Sequence, residues 1–154
     1  MWDIKQKMMM RRIHTLLLLA VAASAMVSFT SCHLEASNNG NLDGYWQLTK
    51  VDTIGGGSRG MKEVSVFWGF QFRMLQVISP EIIVDMRFSH TDDSLVLSEP
   101  YIDARDEGDV KIEDVELLRP LGINALEDRF AVEHLSSDEM MLRDDRLRLY
   151  FRKY

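Results

Sequence analysis

The sequence has 154 residues, of which 46% are hydrophobic, and this is enough to build the core of one domain. It contains a single cysteine, so no disulfide within the chain can support that core. Its formal net charge is −6, which argues against nucleic-acid binding because phosphates require a basic surface.

Residues 1–31 have the three parts of a secretory signal peptide. An apolar run from Thr15 to Val27 follows a short basic segment, and small residues lead from there to Cys32. The segment Phe29-Thr30-Ser31-Cys32 resembles the lipobox of bacterial lipoproteins, although such motifs usually carry an aliphatic residue where Phe29 stands. We therefore predict cleavage before Cys32 and attachment of lipid to its thiol. The basic residues of the first segment are Lys5, Lys7, Arg11 and Arg12.

Two other interpretations of this N-terminus are an ordinary cleaved signal with an incidental cysteine and an uncleaved membrane anchor. A spanning helix needs about 20 apolar residues, and residues 13–31 reach that length only if several Ser and Thr are included. The lipoprotein interpretation is favoured. His33 follows the cysteine, where aspartate would favour the inner membrane, so we expect an outer-membrane lipoprotein of the bacterial envelope.

Without residues 1–31 the chain retains 14 basic and 23 acidic side chains, a net charge of −9. A surface this acidic does not bind anionic lipid by itself, so acyl chains would have to hold the protein at the membrane. Residues 32–43 form the predicted lipidated cysteine and tether. Residues 44–154 form the predicted folded domain.

Alternating apolar residues dominate this domain and predict half-buried β-strands. Even-numbered positions from Val64 to Met74 are all apolar, which predicts one strand with that face inward. A second such series leads to a polar turn at residues 89–94 and then to another strand, which predicts a hairpin. This second series comprises Ile82, Val84, Met86 and Phe88, continued by Leu95 and Leu97.

The C-terminal third repeats the alternation, with polar turns at residues 136–138 and 144–145. Short strands joined by short turns favour an all-β fold, an antiparallel up-and-down barrel of about eight strands that leaves no free edge. Residues 101–109 predict an exposed acidic loop. Residues 114–119 predict at most one short helix, which Pro120 would end. The apolar positions of this third are Phe130, Val132, Met140, Leu142, Leu147, Leu149 and Phe151.

Gly44-Tyr45-Trp46 on the first strand and the arginines of the last strand resemble the lipocalin or calycin pattern. The chain looks like the small lipocalin-like lipoproteins of Gram-negative gut bacteria, also through residues 118–123 and 147–153. The resemblance implies a barrel in which Trp46 packs beneath an arginine, a contact worth about 0.5–2 kcal/mol. It assigns that structural role to Arg148 in preference to Arg152.

A barrel of about eight strands either fills with side chains or holds one small ligand. The sequence therefore leaves open an apolar pocket and a filled core. Its walls would offer few polar partners, so any ligand would be apolar or amphipathic. The candidates for lining such a pocket are Val66, Trp68, Phe70, Phe72, Met86 and Phe88.

No catalytic site, metal site or cofactor is predicted, and we do not expect an enzyme. Gly56-Gly57-Ser58-Arg59-Gly60 matches Gly-x-Ser-x-Gly, but a hydrolase needs a helix after it, whereas a strand pattern follows. The acidic residues of the loop at 103–109 fit a calcium loop poorly, because Arg105 falls at a ligand position. His90 and His134 lack the spacing of metal ligands.

The sequence favours two functions, and an uncharacterised hydrolase is a distant third. The first is binding of a small apolar ligand by a membrane-anchored barrel. The second is a structural role or the binding of an envelope protein partner by a barrel with a filled core. The size of the cavity would distinguish them.

Overall fold

The fold is a closed antiparallel β-barrel, seen in a computed structural model that describes residues 37–104 and 108–154, together with Gln6 alone. The order of elements is that of an up-and-down barrel with two small additional strands. The strands are β1 (Gly44–Thr53), β2 (Ser58–Gly60), β3 (Phe67–Gln71), β4 (Met74–Ile78), β5 (Ile83–His90), β6 (Ser94–Ile102), β7 (Val110–Lys111), β8 (Asp128–Leu135), β9 (Glu139–Arg143) and β10 (Leu147–Lys153).

Eight of these strands form the ring, in the order β1-β3-β4-β5-β6-β8-β9-β10, and β10 returns to pair with β1. The closing pair is antiparallel, with Trp46 opposite Lys153 and Thr53 opposite Leu147. β2 extends the β3 side of β1, and β7 pairs with the end of β6. The predicted barrel of about eight strands is confirmed.

Two rims follow from this register. The N-terminal rim is where β1 begins and β10 ends, and it carries the β3–β4 turn at residues 72–73. The plugged rim is the opposite end, where β1 ends and β10 begins, and it carries the long connection of residues 103–127. Helical structure in the described domain is limited to single 3-10 turns at Gly40–Leu42, Lys62–Val64, Val115–Leu117 and Arg119–Leu121.

The strand predicted over residues 64–74 has the wrong boundaries, because β3 extends only from Phe67 to Gln71. Val66, Trp68 and Phe70 face inward as expected, but the chain turns at Phe72, whose φ is +55°, and returns as β4. Phe72 is 45% exposed and Met74 41% exposed, while Leu75 and Val77 point into the core. The turn contains no Gly, Pro, Asn or Asp, which is why the pattern did not reveal it.

Residues 37–43 differ from the predicted tether, because they pack against the barrel. Asp43 accepts hydrogen bonds from Ser37 Oγ at 2.6 Å and from Asn39 Nδ2 at 2.8 Å. Leu42 is 1% exposed and belongs to the core. The folded domain therefore begins at Ser37, seven residues before β1.

Candidate functional site

The residues predicted to line a pocket form the packed centre of the barrel. Trp68 lies with its ring centroid 5.0 Å from that of Phe151 and 6.0 Å from that of Phe130. Phe70 meets Phe88 edge to face at 5.1 Å. These contacts fill the interior at the level of Trp68. The predicted residues that are buried are Val66, Trp68, Phe70, Met86 and Phe88, each 6% exposed or less.

Phe72 is the exception, and its assignment to the interior is corrected. It stands at the tip of the β3–β4 turn on the N-terminal rim, where its backbone oxygen accepts from Asn39 Nδ2 at 2.8 Å. In a two-residue turn the chain leaves the strand, so the alternation of inward and outward side chains along β3 does not extend to Phe72.

The N-terminal rim is closed by Trp46, which is fully buried and donates from Nε1 to the oxygen of Leu42 at 2.8 Å. The cation over its ring is Lys153, whose Nζ lies 4.6 Å from the ring centroid. The predicted partner, Arg148, instead lies on the outer face, where its Nε is 2.7 Å from Glu133. The structural role assigned to Arg148 is therefore corrected to Lys153.

The opposite rim is closed by residues 118–123, which we call the plug segment. Leu118, Leu121 and Ile123 are each 2% exposed or less and extend into the core. Trp68 Nε1 donates to the oxygen of Leu121 at 3.2 Å, which joins the plug segment to the aromatic centre. Gly122 has a φ of +90°, and a Cβ there would lie 3.2 Å from Leu149. The plug segment thus ends in a turn that suits glycine.

Two buried carboxylates hold the end of the plug segment. The backbone N–H of Asn124 donates to Asp128 at 2.7 Å, and its side-chain Nδ2 donates to Asp144 at 2.8 Å. Burial raises the pKa of Asp128, against the hydrogen bond from Asn124, and the charge of Asp144 raises it further. Asn124 therefore links the plug segment to the start of β8 and to the β9–β10 turn.

A cleft of about 390 Å³ opens between the plug segment and the β1–β2 hairpin. Its apolar lining comes from Val51, Met61 and Leu147, and two exposed residues, Arg59 and Arg119, also line it. Arg119 also pairs with Glu116 at 3.2 Å. An apolar floor beside two cations suits an amphipathic anion, and the volume falls in the range of small-molecule sites.

A larger groove of about 670 Å³ runs along the outer face of β1, β9 and β10. Its lining mixes apolar side chains such as Met141 and Tyr150 with the charged groups of Lys62, Glu139 and Arg152. Because charges of both signs line it and it lies outside the barrel, it is better suited to a protein surface than to an apolar small molecule.

The remaining sequence motifs lie apart from these sites. Ser58 of the Gly-x-Ser-x-Gly match is exposed in β2, in a hairpin with β1, and is followed by the single 3-10 turn Lys62–Val64 rather than by the helix of a hydrolase elbow. Within the described ranges, no three His, Cys, Asp or Glu side chains come together as metal ligands. Cys32, Arg105, Asp106 and Glu107 lie outside the described residues. In the part of the chain that the structure describes, no helix is both long and apolar enough to span a membrane.

Comparison with known proteins agrees with this barrel. The family model described as "Lipocalin-like domain" matches residues 27–154. A crystal structure of a lipocalin-like protein from Bacteroides uniformis is 21% identical with a TM-score of 0.57, covering 75% of this chain and 100% of that one. An uncharacterised protein from Bacteroides eggerthii is 20% identical with a TM-score of 0.50, covering 73% and 98%. At these identities the likeness concerns the fold, and no curated protein matches the sequence.

Proposed function

This chain belongs to the lipocalin-like domain family, and from that premise we propose that it is a lipid-anchored envelope protein that binds a small amphipathic molecule. The binding site is the cleft at the plugged rim. The observation that carries the proposal is that apolar Val51 and Met61 line the same cleft as Arg59 and Arg119, at the barrel end closed by the plug segment.

The ligand would place its anionic group between the two arginines and its apolar part against Val51 and Met61. The interior below is filled, so a longer apolar tail needs space that Leu121 and Ile123 now occupy. Displacement of the plug segment would supply it. Because Trp68 donates to Leu121, such a displacement would change the surroundings of the Trp68 indole.

A fluorescence titration tests this proposal. We expect a saturable change in tryptophan emission with palmitate and a much smaller one with hexadecanol, which has the same tail without the charge. Trp68→Phe should remove the signal. Arg59→Gln and Arg119→Gln should each weaken binding by about tenfold, because a charge-assisted hydrogen bond contributes about 1.5–3 kcal/mol. Arg143→Gln, on the outer face, is the matched control.

The absence of any response to palmitate and to a panel of sterol and haem-like compounds would refute ligand binding at this cleft. Equal binding of palmitate and hexadecanol would refute the role of the two arginines and leave an apolar site.

The anchor is the second part of the proposal. It is supported by the signal pattern of residues 1–31 and by Cys32 as the one cysteine of the sequence. In a bacterial host, Cys32→Ala should release the protein from the membrane fraction or leave the precursor uncut. A processed variant that stays in the membrane would contradict lipid attachment. Fractionation of the two envelope membranes tests the expected outer-membrane location.

The groove along β1, β9 and β10 favours a second candidate, a partner-binding module with a filled core. Here the partner would be another envelope protein that contacts Met141 and Tyr150. A cross-linker attached at Met141→Cys should then capture one envelope protein reproducibly, while the same reagent at Ile54→Cys should not. This outcome, together with a negative ligand titration, would favour the second candidate.

A further inference from the structure

Large exposed side chains collect on the N-terminal rim, and several of them are aromatic. Tyr45 is 50% exposed, Phe72 45%, Met74 41% and Tyr154 86%. The amide of Tyr154 donates to the oxygen of Tyr45 at 2.9 Å, and Tyr45 and Met74 line one shared depression of about 600 Å³. These four side chains form the surface that we call the aromatic rim.

The plugged rim also has exposed apolar residues, but they are aliphatic. Ile54 is 40% exposed, Leu117 46% and Val110 50%. Tyr and Trp are the residues that gather at membrane–water interfaces, because an apolar ring with a polar edge suits that layer. The two ends of the barrel therefore differ in the chemistry of their exposed groups.

The aromatic rim is also the end at which the chain arrives from Cys32. The folded domain begins at Ser37, whose Oγ accepts from the amide of Phe72 at 3.2 Å. Five steps of chain separate Cys32 from Ser37, and an extended chain covers at most about 18 Å over that length. Ser37, which contacts the amide of Phe72, would thus lie within about that distance of the lipidated residue.

The charge at the β3–β4 tip itself is cationic, while exposed Asp92, Asp93 and Asp138 lie in the other turns of the same barrel end. Arg73 is exposed next to Phe72, while the nearby carboxylate of Asp43 already accepts two hydrogen bonds from Ser37 and Asn39. A cation beside an exposed aromatic ring can meet a lipid phosphate, and the acidic group next to it is already hydrogen-bonded within the protein.

We propose that the aromatic rim, formed by Tyr45, Phe72, Met74 and Tyr154, rests in the headgroup layer of the membrane that holds the anchor. This inference rests on the proposed attachment of lipid to Cys32. It orients the barrel with its N-terminal rim on the bilayer and its plugged rim away from it. The cleft beside Arg59 and Arg119 then opens toward the aqueous side.

The test measures the contact of a single side chain with lipid. The full chain is expressed in a bacterial host, extracted and reconstituted in phosphatidylethanolamine–phosphatidylglycerol vesicles that contain brominated phosphatidylcholine. Phe72→Trp is compared with Ile54→Trp, which places the same ring at the opposite rim. Trp46 and Trp68 contribute equally to both proteins, and both are fully buried.

We expect the emission of Phe72→Trp to be quenched by brominated lipid at least twofold more than that of Ile54→Trp, with a shift to shorter wavelength on reconstitution. Equal quenching of the two variants in protein that floats with the vesicles would overturn the proposed contact. Arg73→Glu should reduce the quenching of Phe72→Trp, and an unchanged value would overturn the role of that cation.

Flotation of Cys32→Ala separates this inference from the anchor. If the native chain floats and Cys32→Ala does not, the anchor stands, and equal quenching of the two tryptophan variants refutes the rim contact alone. If Cys32→Ala is processed and floats as well, the anchor is refuted, and selective quenching of Phe72→Trp would then support lipid contact without it.

Discussion

Lys153 lies over the buried ring of Trp46, with Nζ 4.6 Å from the ring centroid, and donates to the oxygen of Asn41 at 2.8 Å. Gly44 makes this arrangement possible, because its φ is +108° and a Cβ there would lie 3.1 Å from Lys153 Cε. Gly-x-Trp therefore describes one packing unit. The glycine leaves space for a lysine stem from the last strand, and the tryptophan lies beneath its charge.

Replacing Lys153 tests this unit. Lys153→Met keeps the stem and removes the charge, so it should lower the free energy of unfolding by about 1 kcal/mol. It should also change the near-ultraviolet circular dichroism of the tryptophans. Arg148→Met serves as the control, since an exposed ion pair with Glu133 contributes at most about 1 kcal/mol and lies away from Trp46. A tryptophan spectrum that responds to Arg148→Met and not to Lys153→Met would contradict the assignment.

Gly69 in β3 lies beneath the Tyr45 ring, and a Cβ there would be 2.7 Å from Tyr45 Cε1. Gly69→Ala should therefore lower the free energy of unfolding by about 1–3 kcal/mol through overpacking. In the Tyr45→Ala background, where the ring is absent, the same Gly69→Ala substitution should cost less than half as much. Urea unfolding of the four proteins gives the coupling energy, and strictly additive effects would show that the ring can move aside freely.

The lowered pKa of Asp52 predicts that the protein loses stability in acid. Its hydrogen bond with Lys50, at 2.8 Å, is the largest contribution that lowers the pKa of Asp52 from 3.8 to about 2. A carboxyl whose pKa is lower in the folded state stabilises the fold above its unfolded pKa and ceases to do so as the pH falls. The difference in unfolding free energy between the native protein and Asp52→Asn should be full at pH 7 and vanish between pH 4 and 2.

Asp92→Asn, in the exposed β5–β6 turn, is the matched control for this pH series. A difference between native and Asp52→Asn protein that persisted unchanged at pH 2 would rule out the ionised pair as its source.

Asn124→Ala should loosen the plug segment. It removes the side-chain donor from the buried carboxylate of Asp144, which should lower the free energy of unfolding by about 1–3 kcal/mol. Hydrogen exchange of residues 118–123 should accelerate more than that of β3 or β4, because the backbone amides of those strands are held by hydrogen bonds within the sheet. Ser137→Ala in an exposed turn is the control, and uniform acceleration across the barrel would show that Asn124 supports the whole fold instead.

The class of fold could be predicted from sequence because barrel walls alternate, and Trp68, Met86 and Leu149 each lie on the expected face. The β3–β4 turn could not, since Phe72 adopts a positive φ that non-glycine residues rarely take. The turn consists of Phe72 and Arg73, and neither residue type marks a reversal in a hydrophobicity pattern.

The site was less predictable than the fold. Trp46 could be assigned from its motif, but its cation was sought among the arginines that the resemblance implies. Lys153 continues the inward series of Leu149 and Phe151 and lies opposite Trp46, whereas Arg148 and Arg152 lie on the other face of β10. The plug segment could not be predicted either. Leu118 and Leu121 are too few to form a recognisable pattern of core-facing residues. The hydrogen bond between Asn124 and Asp144 joins residues 20 positions apart, and a local sequence pattern does not indicate such a contact.

Closure of the barrel depends on the pairing of β1 with β10, the first and last strands of the ring. Thr49 Oγ1 donates to the oxygen of Tyr150 at 3.0 Å, a contact across 101 positions of the sequence. Contacts between distant residues slow folding, since the intervening chain must be confined first. The barrel therefore cannot complete its ring until β10 has left the ribosome. A chain that stays open this long suits transport in the unfolded state, as the proposed signal peptide would require.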